Sequence, residues 1–299
     1  MPNDDEKTTS LDAWVARIRD QEMPIFGLTA ERIRALTDSE KSAVAELAEA
    51  ILHDPGMTAK LLRIANSVIF NVSGWQITTV SRAIIMLGFN MVRQIALTVA
   101  FVDTLLHGPL RERVLREMAR AFHAAAQARW LAIKRHDAQP EEVFIAALLY
   151  RFGELAFWCF SGEMGDALDQ ALRVQPQNSG AVEEKLLGFR LSHLTLALIG
   201  DWHVSPLLQL VLRGDFVRGS REEAVVIAYR LAEAAETGWN SARTQARMKE
   251  MAIYLNVALR EIEAPLAANA NEAARIAESF GASAVLPFIF EAPATVTRE

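Results

Sequence analysis

The stretch that decides the fold runs from Leu61 to Leu106 and reads LLRIANSVIFNVSGWQITTVSRAIIMLGFNMVRQIALTVAFVDTLL. The preceding Asp54-Pro55 is typical of a helix start, because Asp can cap the first turn and Pro fits the first helical position. The apolar residues that follow recur at helical spacing. They predict a helix that ends near Asn66-Ser67.

Two further helices are predicted in the same stretch. Thr78 or Thr79 can cap the second, which ends at Gly88, where glycine suits the left-handed conformation that often follows a helix. Asn90 can cap the third, which runs on until Gly108-Pro109 breaks it.

The connection Val68–Ile77 carries Asn, Ser and Gly but also large apolar residues, and we interpret it as packed rather than loose. Asn66, at the helix end, is expected to bond nearby backbone and fix the turn. Phe70 and Trp75 leave two interpretations open. Inward packing is favoured because aromatic residues are mostly buried, and the alternative is an exposed anchor for a partner protein.

Three blocks within and beside this stretch resemble the signature of the HDOD family. They are DPGMTAKLLRIANS at 54–67, ITTVSRAIIMLG at 77–88 and MVRQIAL at 91–97. A weaker likeness extends from about Met23 to about Glu236. The resemblance implies an all-α, multi-helix bundle related to the HD-type metal-dependent phosphohydrolases, with the hydrolase centre degenerate.

The composition is that of an ordinary globular chain, with 299 residues, 51% hydrophobic and 23% charged. A net charge of -6 argues against non-specific nucleic-acid binding, which needs a basic face. The single Cys159 fits a reducing compartment. The start MPNDDEKTTS is not a secretory signal, and no charge-free apolar run approaches the roughly 20 residues of a membrane helix. We therefore expect a cytoplasmic protein without membrane insertion.

Helical periodicity continues along the rest of the chain, without a useful alternating strand pattern. Val143–Phe157 is apolar nearly all round and predicts one central buried helix. Further helices are expected over Val182–Trp202 and from Met248 to Ile262, with a last short one from Ala273 to Phe280.

These patterns predict an all-α protein, and together with the resemblance they divide it into three parts. Residues 1–10 are expected to form a disordered leader, and residues 11–236 the HDOD domain. Residues 237–299 are expected to form a C-terminal helical extension and tail.

HD-type phosphohydrolases bind metal through an adjacent His-Asp pair and further His and Asp residues, and the metal activates water. The resemblance places the first ligand at His123 and the pair at Tyr150-Arg151. Arg at that position would put a cation where the metal belongs. The next ligand would fall at Leu191 or Ser192, with His193 displaced by one or two residues.

The later positions also lack the expected residues. Gly214-Asp215 stands where the next histidines should be, and Glu233 stands near the last acidic position. Because a metal site needs three or four converging ligands, we predict no metal-binding residues, no catalytic residues, no cofactor and no enzymatic activity.

His123 is interpreted as a hydrogen-bonded histidine on a helix face, and Arg151 as an ion-pair partner of Glu154. One alternative is that His123 and Arg151 line a remnant cleft that binds a nucleotide, a cyclic dinucleotide or another phosphate compound without turnover. A metal-dependent phosphohydrolase, the third interpretation, needs ligands that the chain lacks.

HDOD proteins resemble signalling or regulatory modules, so the resemblance implies function through protein binding. The partner classes it implies are kinases, response regulators and cyclic-di-GMP turnover enzymes. We expect the contact region in the N-terminal half of the chain, with Phe70 and Trp75 as candidate partner-binding residues.

Overall fold

The computed structural model describes residues 10–20, 23–25, 27–39, 42–71, 74–97, 108–175 and 178–279. Helices make up the regular structure of these ranges, and no β-strand occurs in them, which confirms the predicted all-α fold. Except for Ser10, the leader expected over residues 1–10 lies outside the described residues, as does the end of the tail.

The chain divides into two compact units. The first comprises residues 1–114 and 151–204, and the second comprises residues 115–150 and 205–299. This division by contacts differs from the sequence division at residues 11 and 236, which stays a prediction.

The first unit contains two runs of helices. They are α1 Leu11–Asp20, α2 Gly27–Asp38, α3 Val44–Leu52, α4 Pro55–Ala65, α5 Val80–Leu87 and α6 Phe89–Leu97, then α9 Phe152–Phe160, α10 Glu163–Val174, α11 Ser179–Leu187 and α12 Leu191–Asp201. Helix α3 packs against α2, α4 and α5, and α12 packs against both α1 and α9. A long helix, α7 Gly108–Lys134, begins in this unit and continues in the second.

Local capping explains where the helices of the N-terminal run begin. Asp54 accepts a hydrogen bond from the backbone N–H of Met57 at 2.9 Å, and Thr79 caps α5, so both predicted starts are confirmed. The predicted Asn90 cap is wrong. Helix α6 begins at Phe89, two residues before the start at Met91 that an Asn90 cap would give, because the chain enters it directly from Gly88, which has a φ of 78°.

Aromatic residues of α1 and α9 build much of the core of the first unit. The rings of Trp14 and Phe157 lie 4.9 Å apart, and Phe157 meets Trp158 edge-on at 5.2 Å. Helices α9 and α12 approach closely at Gly153, where a Cβ would lie 2.3 Å from the backbone nitrogen of Thr195. Only glycine allows this approach.

The second unit contains the rest of α7 and five further helices. They are α8 Pro140–Leu148, α13 Pro206–Arg213, α14 Arg221–Ala235, α15 Ala242–Leu255 and α16 Leu259–Ser279. Helix α14 is central, because it packs against α8, α13 and α15 and most of its residues are buried. Arg221 binds Glu142 at 2.6 Å and Asp137 at 3.0 Å, which ties the start of α14 to the α7–α8 connection.

Three helices that the sequence predicts as continuous are interrupted. The predicted Val143–Phe157 helix is α8 followed by α9, with a turn between them. The predicted Val182–Trp202 helix is divided at Gly188, and the predicted Met248–Ile262 helix at Asn256. Gly188 and Asn256 are both left-handed, the conformation that ends a helix and that these two residue types adopt most easily.

The last predicted helix is also different in the structure. Ala273 lies within α16, which is continuous from Leu259 to Ser279 and contains Pro265. Phe280 lies outside the described residues.

Among the described residues, one stretch, Pro140–Phe160, is long and apolar enough to cross a membrane, and its most apolar part has a mean hydropathy of 1.6. It consists of two helices, and 72% of its most apolar 18 residues are buried inside the protein. Core helices of soluble proteins pass the same test of length and composition, so this stretch is only weak support for a membrane span.

Candidate functional site

Asn66 fixes the connection that follows α4. Its side-chain amide donates to the carbonyls of Leu62 at 3.0 Å, Ile77 at 2.9 Å and His203 at 3.2 Å, and its Oδ1 accepts from the N–H of Ile77 at 2.8 Å. Gln76 also donates to the carbonyl of His203, at 2.6 Å. The structural role predicted for Asn66 is confirmed.

Four apolar side chains of this connection are exposed to solvent. We call Val68, Ile69, Phe70 and Trp75 the apolar segment. Val68 is 90% exposed, Ile69 81%, Trp75 80% and Phe70 37%. The predicted inward packing is therefore wrong, and the interpretation of this connection as packed is wrong for these residues. Hydrogen bonds from the side chains of Asn66 and Gln76 help to hold the connection in place.

The exposure of Trp75 contrasts with that of other tryptophans in the chain. Trp14, Trp158, Trp202 and Trp239 are each at most 5% exposed. Sequence reasoning singled out Phe70 and Trp75 but missed Val68 and Ile69. The sequence did contain a signal for a longer apolar segment, because the chain carries no charged residue from Ala65 to Ser81.

His123, the residue that resembles a first metal ligand, is fully buried in the second unit. The side-chain amide of Gln127 lies 3.0 Å from its Nε2 and donates to it, so the ring proton sits on Nδ1. The Trp239 ring stacks on the imidazole at 6.2 Å. Burial lowers the pKa of His123 to about 3, which keeps it neutral at physiological pH.

Gln127 joins His123 to the C-terminal helix α16. Its Nε2 also donates to the carbonyl of Leu266 at 2.8 Å, and its Oε1 accepts from Asn269 at 3.0 Å. The fully buried side-chain amide of Gln127 therefore forms hydrogen bonds through both its nitrogen and its oxygen within the second unit. The i,i+4 spacing of His123 and Gln127 on one helix was a signal that the sequence reasoning did not use.

A buried ion-pair network lies one helical turn before His123. Arg120 binds Glu117 at 2.8 Å and also binds Glu236, which in turn binds Arg116. Burial opposes the ionisation of Glu236, but the guanidinium groups of Arg120 and Arg116 outweigh burial and hold the pKa of this carboxyl below its ordinary value. The two arginines and two glutamates balance in charge.

The positions of the expected His-Asp pair lie in different units. Tyr150, in the second unit, packs on Tyr229 with ring centroids 4.6 Å apart, beside Ala124 and Ala232. Tyr150 thus belongs to a hydrophobic cluster.

Arg151, in the first unit, binds both carboxylate oxygens of Glu154 at 3.1 Å, so the predicted ion pair is confirmed. Burial raises the pKa of Glu183, and the positive charge of Arg151 acts in the opposite direction. Arg151 is therefore close to a second carboxyl group. Its role and that of His123 in ligand binding stay predictions.

The remaining expected ligand positions do not gather around a metal site. His193 is exposed, and Glu233 binds Arg243 at 3.3 Å. Within the ranges that the structure describes, no group of three or more His, Cys, Asp or Glu residues is placed to hold a metal ion. The prediction that the protein binds no metal remains to be tested in solution.

Comparisons with solved structures show where this fold occurs. The MmoQ response regulator from Methylococcus capsulatus str. Bath is 20% identical, with a TM-score of 0.65, over 83% of this chain and 98% of that chain. A virulence factor from Campylobacter jejuni subsp. jejuni is 19% identical, with a TM-score of 0.66, over 88% and 97% of the two chains. At such identities the likeness establishes a shared fold. No curated protein sequence matches.

The family itself is shown by a sequence comparison. The family model described as HDOD domain matches residues 23–213, which is more than half of the chain and includes all three signature blocks. The chain therefore belongs to the HDOD domain family.

Proposed function

We propose that this protein is a non-catalytic regulator of signal transduction that acts by binding other proteins through its apolar segment. The observation that carries the proposal is the exposure of four large apolar side chains between residues 68 and 75. A single exposed apolar side chain is ordinary. A group of them on one short segment, including a tryptophan, is typical of an interaction site.

The partner classes are those that membership of the family suggests: kinases, response regulators and enzymes of cyclic-di-GMP turnover. One of the similar solved structures is itself named a response regulator, which supports a place in signalling. The net charge of -6 does not favour nucleic acid as a partner. We place the protein in the cytoplasm, and the burial of most of the apolar stretch Pro140–Phe160 inside the protein is consistent with that.

The surroundings of His123 support the non-catalytic part of the proposal. A metal ligand needs a free lone pair on the imidazole, and the Nε2 lone pair of His123 accepts a hydrogen bond from Gln127. Tyr150 and Arg151 replace the His-Asp pair. The contacts of Arg151 with Glu154 do not favour the alternative of an anion sensor, since the guanidinium already faces carboxylate oxygens.

Site-specific photo-crosslinking in the native host tests the proposal. A photoreactive phenylalanine analogue is placed at position 75 and, in a second variant, at Ile253, which is 67% exposed and lies in the second unit. We expect crosslinks to one or a few signalling proteins from position 75 only. Crosslinks of the same identity and amount from both positions, or none from position 75, would contradict the proposal.

A further inference from the structure

Ile77, at the end of the exposed connection, has an unusual arrangement of backbone hydrogen bonds. Its N–H and its C=O both bind the side-chain amide of Asn66, at 2.8 Å and 2.9 Å. Two residues of an antiparallel sheet exchange hydrogen bonds in this way. Asn66 therefore takes the place of a neighbouring strand on one edge of Ile77, and that edge is closed.

Peptide geometry determines which backbone groups lie on the opposite edge of Ile77. The described peptide bonds are trans, so each C=O points away from the N–H of the same peptide unit. The C=O of Gln76 is opposite the N–H of Ile77, and the N–H of Thr78 is opposite the C=O of Ile77. These two groups therefore point away from Asn66. Neither has a hydrogen-bond partner in the part of the chain that the structure describes.

A free acceptor and a free donor on either side of one strand-like residue are what an added strand requires. The N–H of an incoming peptide can bind the C=O of Gln76, and a C=O of the same peptide can accept from the N–H of Thr78. The side chain of Gln76 is bound to the carbonyl of His203, so this edge is held in position before any partner arrives.

The side chains beside this edge define the chemistry of the peptide. Trp75 precedes Gln76 and is 80% exposed, and the rest of the apolar segment lies a few residues upstream. The chain carries no charge from Ala65 to Ser81. A matching peptide is extended, uncharged and apolar at alternate positions, because successive side chains of a strand face opposite sides.

A lipid surface fits these observations less well than a peptide does. Insertion of the apolar segment into a bilayer would carry the C=O of Gln76 and the N–H of Thr78 toward a medium that offers them no hydrogen bonds. An added strand satisfies both groups and covers the apolar side chains at the same time.

We infer that residues 74–79 form an edge to which an extended apolar segment of a partner protein adds as a β-strand, beside Trp75. This inference rests on the proposed function and specifies how the partner binds. It predicts different behaviour for two neighbouring amides. The N–H of Ile77 is already bonded in the free protein, whereas the N–H of Thr78 becomes bonded only when the peptide is present.

The probe is a displayed library of random peptides of about 10 residues, the upper range of a single strand, selected against the full chain. The selected peptides are expected to alternate apolar and polar residues. Hydrogen exchange, followed by NMR with a saturating selected peptide, should slow at Thr78 by about tenfold or more, a change of about 1.4 kcal/mol in opening free energy. Exchange at Ile77 should change little.

Three variants sharpen the test. Trp75→Ala should weaken peptide binding by about tenfold or more, whereas Val174→Ser, on another exposed apolar residue of the first unit, should not. An amide-to-ester replacement at Thr78 removes the N–H alone and should weaken binding by about 3–10-fold, the effect of one hydrogen bond.

Several outcomes would overturn the inference. They are a library that yields no binder, peptides that bind as helices, and unchanged exchange at Thr78 in the complex. Binding to phosphatidylglycerol vesicles that is lost in Trp75→Ala, with no peptide binding, would assign the segment to membranes. If crosslinking at position 75 succeeds but Thr78 stays unprotected, the proposed function stands and only the strand geometry fails.

Discussion

The apolar segment in the first unit and the surroundings of His123 in the second unit were both candidate sites, and they differ in what their side chains contact. At His123 a ring with the chemistry of a ligand is enclosed by Gln127 and Trp239. In the apolar segment, side chains without catalytic chemistry are left in solvent.

This difference shows that the type of a residue does not determine whether its side chain is accessible to a ligand or a partner. A histidine with a pKa near 3 and an occupied Nε2 lone pair has little capacity to bind a metal or accept a proton. When a partner covers an exposed tryptophan, its apolar surface leaves water, and this change in free energy favours binding. His123, which resembles a metal ligand, is buried, whereas the connection after α4 exposes large apolar side chains.

The largest expected effect concerns the buried network beside His123. Arg120→Ala leaves the carboxylates of Glu117 and Glu236 without their buried cation. Removing one partner of a buried pair typically costs about 3–5 kcal/mol, and we expect a loss of that size in the free energy of unfolding. Urea denaturation followed by circular dichroism measures it.

The matched control is Arg243→Ala. Arg243 lies 3.3 Å from Glu233, but its side chain is 52% exposed. Exposed pairs contribute about 0–1 kcal/mol, so this variant should unfold almost like the wild type. Equal losses of unfolding free energy in the two variants would show that the Arg120 network is solvated and is not buried in the second unit.

The next effect concerns the support of the apolar segment. Asn66→Ala removes four hydrogen bonds between α4, Ile77 and His203. We expect a loss of about 1–3 kcal/mol in unfolding free energy, the range for leaving partly buried groups without partners. Asn90→Ala, at an exposed position, is the control. An unchanged urea midpoint for Asn66→Ala would mean that water replaces these bonds.

Much of the fold could be predicted because its signals are local. Asp54 and Thr79 cap helices that begin next to them, and Asn66 bonds an element only 11 residues away. The interruptions at Gly188 and Asn256 were missed because the apolar periodicity continues across them. Periodicity reports which face is buried, and it does not report where a single left-handed residue redirects the chain.

The candidate site was harder to predict because burial depends on distant contacts. The ion pair between Arg151 and Glu154 follows from their spacing of three residues, whereas Glu236 reaches Arg120 across 116 residues. The exposure of Trp75 has the same origin. Whether a large side chain on a connection is covered depends on elements remote in sequence, and the average tendency of aromatics to be buried gave the wrong result there.

A smaller effect concerns pH. The pKa of His123 is about 3 in the folded protein and about 6.5 in the unfolded chain, so below pH 6.5 the unfolded chain binds the proton first. The contribution of this group to the free energy of unfolding is therefore fully present above pH 6.5. It decreases as the pH falls toward 3, by up to about 1.4 kcal/mol per pH unit. Urea midpoints between pH 7 and 5 measure the slope.

His123→Asn removes this contribution and should give a shallower loss of stability toward pH 5. Burial also lowers the pKa of His53, to about 4, and that histidine contributes with the same sign in both proteins. The difference between the two slopes therefore isolates His123. Parallel slopes would mean that His123 takes up a proton in the folded protein and that its surroundings are open to water.

The smallest expected change in stability distinguishes an exposed tryptophan of the apolar segment from a buried one in the core of the same unit. Trp75→Ala removes a side chain that is 80% exposed, and surface changes of this kind alter unfolding free energy by about 0.5 kcal/mol or less. Trp158→Ala removes the same side chain from a position that is 2% exposed and should cost about 3–5 kcal/mol. Both variants are measured by urea denaturation, and Trp75→Ala is also tested for binding of the selected peptides. A stable Trp75→Ala protein that no longer binds them identifies Trp75 as a contact residue. A loss of several kcal/mol would place Trp75 in the core, and unchanged stability with unchanged binding would remove it from both roles.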